Sequence, residues 1–369
     1  SNALGRSELP HEGIGAGIAA VKAGKEGDMP RPMMMPFEGR YVPHAVLEVN
    51  QKCNISCRAC YKHKMNYTKP AERVMEEIDL LISKRRLYAI TLAGGEPVLH
   101  PDLPRIIERI ASRGVVPNML SNGYALDDAL LDAYGRAGLK EVLLHIDMMQ
   151  ERSDAGYARR ERDLNALRSE IAERVVRHGI VCSMELTLYR ENLPELGSVV
   201  DFVLSNPNVY RLLITCYTDF ERIAAGFRYA RVLGVGYRNP CGAEGPASSR
   251  GGAEDGSVRL REVEPLLDEI GMKPFAYVAS SESARARRWL FYYSFVIGLK
   301  NGGSRILHIG PGFKRLVKAY YAVSRAMRRP YSFSSVYSPR MCVLMCLLYA
   351  FFSCLLYTSD AADDLLCVD

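Results

Sequence analysis

The chain repeats one pattern six times, in which a short apolar run is followed by an amphipathic stretch. The apolar runs lie at residues 45–51, 88–93, 115–121, 140–147, 180–188 and 209–216. Near-continuous apolar runs are typical of strands covered on both faces, and the stretches between them predict helices that pack on a parallel sheet. Six units are too few for an eight-stranded closed barrel, and no GxGxxG dinucleotide motif follows the first run. The sequence therefore predicts an α/β fold with a partial, open (β/α)6 barrel.

The loop after the first predicted strand carries the most distinctive side chains of the chain, Cys53, Cys57 and Cys60. A glycine-rich turn at residues 94–96 follows the second predicted strand. In a TIM-like barrel, catalytic groups lie in the loops at the carboxyl ends of the strands, where neighbouring loops meet. We therefore expect the cysteine loop and the glycine turn to converge on one edge of the sheet.

The three cysteines are separated by three and two residues, a spacing that lets a short loop wrap one metal cluster. Three thiolates leave one coordination position for another ligand. A structural zinc site with His63 as its fourth ligand is an open alternative, since such sites combine Cys and His at short spacing. Disulfides fit poorly, because the ten cysteines show no paired framework and no secretory signal precedes them.

Together, the CxxxCxxC spacing and the GGE-type turn resemble the signature of the radical S-adenosylmethionine (radical SAM) superfamily, over residues 44 to 217. The resemblance implies a [4Fe-4S] cluster held by Cys53, Cys57 and Cys60, whose fourth iron binds the amino and carboxylate groups of S-adenosyl-L-methionine. It also implies an enzyme that cleaves this cofactor reductively to a 5′-deoxyadenosyl radical, which abstracts hydrogen from a substrate. An external one-electron reductant, similar to flavodoxin or ferredoxin, is the implied partner.

Gly94 and Gly95 lack Cβ atoms, so their backbone can approach a small ligand closely. In the resemblance, Glu96 accepts hydrogen bonds from the α-ammonium group of that ligand. Pro97 then fixes the exit from the turn. We therefore expect residues 94–96 to bind the cofactor.

Polar side chains at later strand ends are further cofactor candidates, because relatives in the superfamily hold the ribose and the methionine carboxylate at such positions. The resemblance indicates Ser121, Asn122, Asp147 and Thr187. Two local alternatives stay open: Asn122 and the following glycine form only a turn, and Asp147 caps the next segment. The interpretation favoured for His145, which shares a strand face with Asp147, is a structural histidine.

The chain divides into five predicted regions. They are an N-terminal tail at 1–43 that begins with a Ser-Asn-Ala cloning scar, the core barrel at 44–240, a Gly/Ser/Ala-rich linker or loop at 241–258, a basic, aromatic-rich and mainly helical region at 259–340, and an apolar tail at 341–369. The uncharged run 341–357 is near the lower length limit of a membrane-spanning helix. The alternative is an artefact, because the sequence from Cys354 onward resembles a translated sequencing adapter.

The net charge of +6 is concentrated in the C-terminal third, where no Asp or Glu occurs between Ala284 and Ser359. Basic residues interleaved with aromatic ones favour an anionic substrate: RNA, a lipid or a phosphorylated metabolite. The alternatives are a helical subdomain with solvated charges, a membrane-associated surface, or a peptide substrate. The sequence leaves the oligomeric state undecided. An oxygen-sensitive cluster and the lack of a signal peptide predict a cytoplasmic protein.

Overall fold

The computed structural model of the chain describes residues 33–34, 44–58, 60, 66–217, 257–270, 276–280, 283–291, 294–298, 304–308, 322 and 326. His63, the apolar tail at 341–369, and most of the predicted N-terminal tail and linker lie outside these residues. Among the described helices, none combines the length and the apolarity that a bilayer crossing requires.

Strands and helices alternate through the first part of the chain. The strands are β1 (Met33–Met34), β2 (His44–Asn50), β3 (Ser56–Cys57), β4 (Ala89–Gly94), β5 (Val116–Ser121), β6 (Glu141–His145), β7 (Gln150–Glu151), β8 (Val181–Leu188) and β9 (Val209–Cys216). The helices are α1 (Ala71–Lys84), α2 (Leu103–Ser112), α3 (Asp128–Ala137), α4 (Asn165–Arg177) and α5 (Leu196–Ser205). Beyond them lie α6 (Leu260–Glu269), β10 (Ala276–Ser280), β11 (Ser283–Phe291), β12 (Ser294–Gly298) and β13 (Ser304–His308).

Six of the strands form the predicted parallel sheet, in the order β9-β8-β6-β5-β4-β2. Their ends agree with the predicted runs to within two residues. A helix or helical turn follows each strand and returns the chain to the opposite end of the sheet, as parallel pairing requires. The prediction of a six-unit α/β architecture is confirmed.

The helices bury one face each against this sheet. In α1 the buried positions include Val74 and Ile78, which are spaced by one helical turn. In α3, Asp127 caps the first turn by accepting a hydrogen bond from the backbone N–H of Leu130, and Gly138 ends the helix in the left-handed region at φ 103°. Burial of each such Ile or Leu side chain contributes about 1.5 to 3 kcal/mol.

The cysteine loop reaches across the carboxyl edge of the sheet. Its short strand β3 pairs with β7, which follows β6. The guanidinium group of Arg58, the residue after β3, lies 5.9 Å from the ring centroid of Tyr217, the first residue after β9. Among the described strands, β2 pairs only with β4, so this part of the molecule is an open sheet and not a closed barrel.

The prediction of a mainly helical C-terminal region is wrong for the part that the structure describes, which contains α6, helical residues at 322 and 326, and four strands. β11 pairs antiparallel with β9, and β10 pairs with β11, so the sheet extends beyond the barrel strands. Without β11, the outer edge of β9 would present unpaired backbone donors and acceptors. In residues 283–287, alanine alternates with polar residues at a period of two, which is a strand pattern.

Candidate functional site

The cysteine loop leaves the carboxyl end of β2. Cys53 and Cys57 are partly buried and Cys60 is exposed, and all three are free thiols. Cys57 belongs to β3, which pairs with β7, and the backbone N–H of Cys60 donates to the carbonyl of Cys57 at 3.3 Å. No group of three His, Cys, Asp or Glu side chains among the described residues is gathered closely enough to hold a single metal ion.

The glycine turn after β4 packs against the backbone that begins the cysteine loop. A Cβ atom on Gly94 would lie 2.2 Å from the carbonyl oxygen of Asn50, and one on Gly95 would lie 2.1 Å from that of Lys52. Gly94 also has a φ of +129°, which L side chains rarely adopt. The close approach that was expected toward a ligand is therefore, at these Cβ positions, an approach to residues 50–52.

Backbone hydrogen bonds fix this contact. The N–H of Gly95 donates to the carbonyl of Asn50 at 2.9 Å, and the N–H of Glu96 donates to the carbonyl of Lys52 at 2.8 Å. The side-chain amide of Asn50 donates to the carbonyl of Glu96 at 2.8 Å. The turn and the start of the cysteine loop are thus a single hydrogen-bonded unit, and Asn50 is a site residue that sequence reasoning missed.

The carboxylate of Glu96 is buried and is engaged by the protein itself. It accepts hydrogen bonds from the Oγ of Ser121 at 2.8 Å, from the backbone N–H of Asn122 at 2.8 Å and from that of Val98 at 3.3 Å. Burial raises the pKa of Glu96 to about 7, although these hydrogen bonds act in the opposite direction. Ser121 and Asn122 are therefore brought together with Glu96, which links the ends of β4 and β5.

Asn122 extends this link to the cysteine loop. Its side-chain amide donates to the Oδ1 of Asn54 at 2.8 Å and lies 3.8 Å from the Sγ of Cys53. Its Oδ1 accepts the backbone N–H of Tyr124 at 2.9 Å, so the local turn expected at this position is present. The guanidinium group of Arg152 donates to its carbonyl at 3.0 Å. A polar residue directly after the first cysteine was the signal that could have identified Asn54.

Asp147 and Thr187 lie together with His145 at the carboxyl ends of β6 and β8. The Nε2 of His145 is 2.8 Å from the Oδ2 of Asp147 and 3.1 Å from the Oγ1 of Thr187. Burial alone would lower the pKa of His145, but the hydrogen bond and charge of Asp147, with Glu185 and Glu161, raise it to about 9. The expected capping role of Asp147 is also present, since its Oδ1 accepts the N–H of Met149 at 2.7 Å.

A buried ion pair stabilises the end of β6, next to His145 and Asp147. Arg168 and Glu161 are both fully buried and bind each other, and Arg168 also donates to the carbonyl of Ile146 at 2.7 Å. Asn192 donates to Glu161 at 3.0 Å. Isolated charges cannot be buried cheaply, so this network fixes the end of β6 through mutual pairing. No sequence pattern predicts this network, because Arg168 lies on an ordinary amphipathic helix.

Comparison with known proteins yields one family and several partial relatives. The model of the family described as "Radical SAM superfamily" matches residues 47–203. The PqqA peptide cyclase of Streptomyces rochei is 25% identical over 162 residues, which are 43% of this chain and 44% of that protein. The GTP 3′,8-cyclase of Chlorobaculum tepidum is 31% identical over 128 residues, which are 34% of this chain and 38% of that protein. The chain thus spans less than half the length of these curated relatives.

Among solved structures, Streptococcus suis SuiB bound to S-adenosylmethionine covers 49% of this chain and 42% of its own, at 14% identity and a TM-score of 0.40. The matched family segment, residues 47–203, contains the cysteine loop, the glycine turn and the strand ends described above. The family match therefore includes the hydrogen-bonded loops at the carboxyl edge of the sheet.

Proposed function

We propose that this chain, whose residues 47–203 match the radical SAM superfamily, is an enzyme that cleaves S-adenosylmethionine reductively at a [4Fe-4S] cluster. The observation that carries the proposal is the cysteine loop itself, hydrogen-bonded to the glycine turn at the carboxyl edge of the sheet. The proposed cluster ligands are Cys53, Cys57 and Cys60.

The donor set fits the cofactors of the superfamily. Three free thiols in one loop suit a cluster that leaves one iron for another ligand, because thiolates are soft donors that iron–sulfur clusters prefer. The amide of Asn122, 3.8 Å from the Sγ of Cys53, adds a polar group beside the first sulfur. When bound, the cluster and S-adenosylmethionine supply a one-electron cleavage of a carbon–sulfur bond and, with it, hydrogen-atom abstraction from a substrate.

The chain's own residues hold and orient the reacting groups. Gly94, Gly95 and Glu96 contact the backbone at the start of the cysteine loop. We propose that this turn also faces the cofactor. Asp147 and Thr187, which bracket the imidazole of His145, are proposed to lie near it as well. Fixed polar groups of this kind contribute by positioning, since they are already oriented when the ligand arrives.

Because the proposed cleavage of S-adenosylmethionine consumes one electron, we propose an external flavodoxin-like or ferredoxin-like reductant for this chain. A cytoplasmic location is part of the same proposal, because free thiols and an iron–sulfur cluster persist in a reducing compartment.

For the substrate, we propose a chemical class and no single compound. One curated relative is named for a peptide and the other for GTP, a phosphorylated nucleotide. The basic C-terminal region favours an anionic substrate, namely a phosphorylated metabolite, RNA or a lipid, with a peptide as the alternative. Most of that region lies outside the described residues.

Anaerobic reconstitution with iron and sulfide tests the proposed function. We expect visible charge-transfer absorbance, a reduced-cluster electron paramagnetic resonance (EPR) signal, and 5′-deoxyadenosine after addition of reductant and S-adenosylmethionine. The variant Cys57→Ala should lose all three, whereas Cys182→Ala, which alters a buried cysteine of β8, should keep them. Stoichiometric zinc binding with no cluster would instead support a non-catalytic Cys3His module in which His63 is the fourth ligand.

A further inference from the structure

Arg58 lies between the second and third cysteines of the loop, and its main chain is held by the segment after β6. The backbone N–H of Arg58 donates to the carbonyl of Met149 at 2.9 Å. This bond continues the short pairing of β3 with β7, in which Cys57 is opposite Gln150. Because that pairing is only two residues long, it constrains the far half of the loop weakly by itself.

From this position beside the end of β6, the side chain of Arg58 extends to residues that follow the next two strands of the sheet, β8 and β9. Its Nη1 binds the carboxylate of Glu191 at 2.5 Å. Its guanidinium carbon lies 5.8 Å from the ring centroid of Tyr189 and 5.9 Å from that of Tyr217. The loop that begins beside β2 is therefore connected to residues that follow β8 and β9.

The two aromatic rings that receive the guanidinium group pack against each other. Tyr189 is fully buried, and its ring lies 5.1 Å from that of Tyr217. The ion pair between Arg58 and Glu191 is about half exposed and would contribute little alone. A planar guanidinium group that faces two aromatic rings adds cation–π attraction and restricts the orientation of the side chain.

The first half of the loop is fixed differently. Cys53 lies beside Asn122, which binds Asn54, and the preceding backbone is bonded to the glycine turn. No equivalent contact of the Cys60 side chain is recorded among the described residues, and this thiol is exposed. Among the described residues, the contacts that hold the half of the loop with Cys57 and Cys60 include those of Arg58 and the short β3–β7 pairing.

We propose that Arg58 is a positioning residue that anchors this half of the loop to the segments after β8 and β9 and so fixes the second and third cluster thiolates. The inference rests on the proposed function in one respect, namely that the three thiols hold a cluster. Groups outside the ligand set of a metal site commonly change its retention when they are removed.

The test measures cluster retention independently of turnover. Wild type, Arg58→Gln and Arg73→Gln are reconstituted anaerobically, and iron release to a chelator and the EPR spectrum of the reduced cluster are recorded without S-adenosylmethionine. Arg73 is a matched control, because it forms exposed ion pairs with Glu76 and Glu77 on α1. We expect about tenfold faster release and a broadened spectrum in Arg58→Gln, and no change in Arg73→Gln. Wild-type release in Arg58→Gln overturns the proposal.

A second pair of variants keeps the result interpretable if Arg58→Gln folds poorly in the metal-free state. Glu191→Ala leaves the cysteine loop unchanged in sequence and removes the far end of the ion pair, so we expect release at least about threefold faster than wild type. In the double variant, release should be no faster than in Arg58→Gln, because both changes disrupt one anchor. Fully additive effects would contradict a shared anchor.

The two proposals fail in different ways. If wild type binds no cluster, the proposed function is wrong. If wild type binds a stable cluster and both Arg58→Gln and Glu191→Ala retain it equally well, only the anchoring role is wrong.

Discussion

The carboxylate of Glu96 accepts a hydrogen bond from the hydroxyl of Ser121 at 2.8 Å, which joins the turn after β4 to the end of β5. Because Glu96 is 1% exposed, this contact is made inside the protein. The side chain that resembles a ligand-binding group in sequence therefore organises the strand ends, and it titrates near neutral pH.

The pH dependence of stability should report this carboxyl group. Burial raises the pKa of Glu96 from an ordinary 4.5 to about 7, so the folded state holds the proton more tightly than the unfolded state between these values. The stabilisation is complete below pH 4.5 and is lost as the pH rises through about 7. We expect the free energy of unfolding of wild type to fall by about 3 kcal/mol relative to Glu96→Gln across this range. If the free energies of unfolding of the two proteins changed with pH in the same way, the assignment of this pH dependence to Glu96 would be wrong.

The imidazole of His145 should titrate well above its usual range. Burial opposes protonation, but Asp147 first, and then Glu185 and Glu161, raise the pKa of His145 to about 9. Its contribution to stability is fully present below an unfolded pKa of 6.5 and is lost as the pH rises through about 9. Nuclear magnetic resonance of the metal-free protein measures this pKa directly. Asp147→Asn should lower it by at least about one unit, whereas Asp154→Asn, which alters the partner of Arg152, should leave it unchanged.

Gly95 should tolerate no side chain. In Gly95→Ala, the new Cβ would lie 2.1 Å from the carbonyl oxygen of Lys52, a backbone atom that cannot rotate away. We expect a loss of about 3 kcal/mol in the free energy of unfolding, measured by urea denaturation.

The control for this change is Gly135→Ala in α3, where the nearest atom to a new Cβ is 3.5 Å away. Alanine favours the helix interior, so this variant should be stabilised by about 0.5 to 1 kcal/mol. Equal stability of the two variants would show that the turn does not need glycine.

The buried pair of Arg168 and Glu161 should behave as one unit. Arg168→Met leaves the carboxylate of Glu161 buried without its cation, and we expect a loss of about 3 to 5 kcal/mol. The double variant Arg168→Met, Glu161→Gln removes both charges and should lose less than the single variant. Urea denaturation of the three proteins gives the coupling, and a double variant less stable than Arg168→Met would rule out this explanation.

Much of the fold follows from local patterns. Each of the six strands of the parallel sheet is marked by an apolar run, and Gly138 ends α3 because its left-handed backbone suits glycine. The addition of β11 to the edge of β9 was not predicted, because edge pairing depends on which surfaces meet after the sheet has formed. The same applies to Arg58 and Glu191, which are 133 residues apart in sequence and 2.5 Å apart in space.

The candidate site was likewise predictable from the sequence only in part. Cysteine spacing and the glycine turn were sufficient to predict that these two loops meet at one edge of the sheet, which their hydrogen bonds confirm, and residues 47–203 match the corresponding family. The roles of individual side chains were not visible, since Glu96 faces Ser121 and Asn122, and the glycines face residues 50–52. Contacts of this type depend on register between neighbouring strands.

The sequence alone determined the six β/α units and the three thiols, because apolar periodicity and ligand spacing are properties of short segments. Only the tertiary structure decided that the cysteine loop brings Arg58 to Tyr189, Tyr217 and Glu191, and that Glu96 is buried between two strand ends. The physical reason is that such contacts and such burial arise when several units pack together, and no segment encodes them by itself.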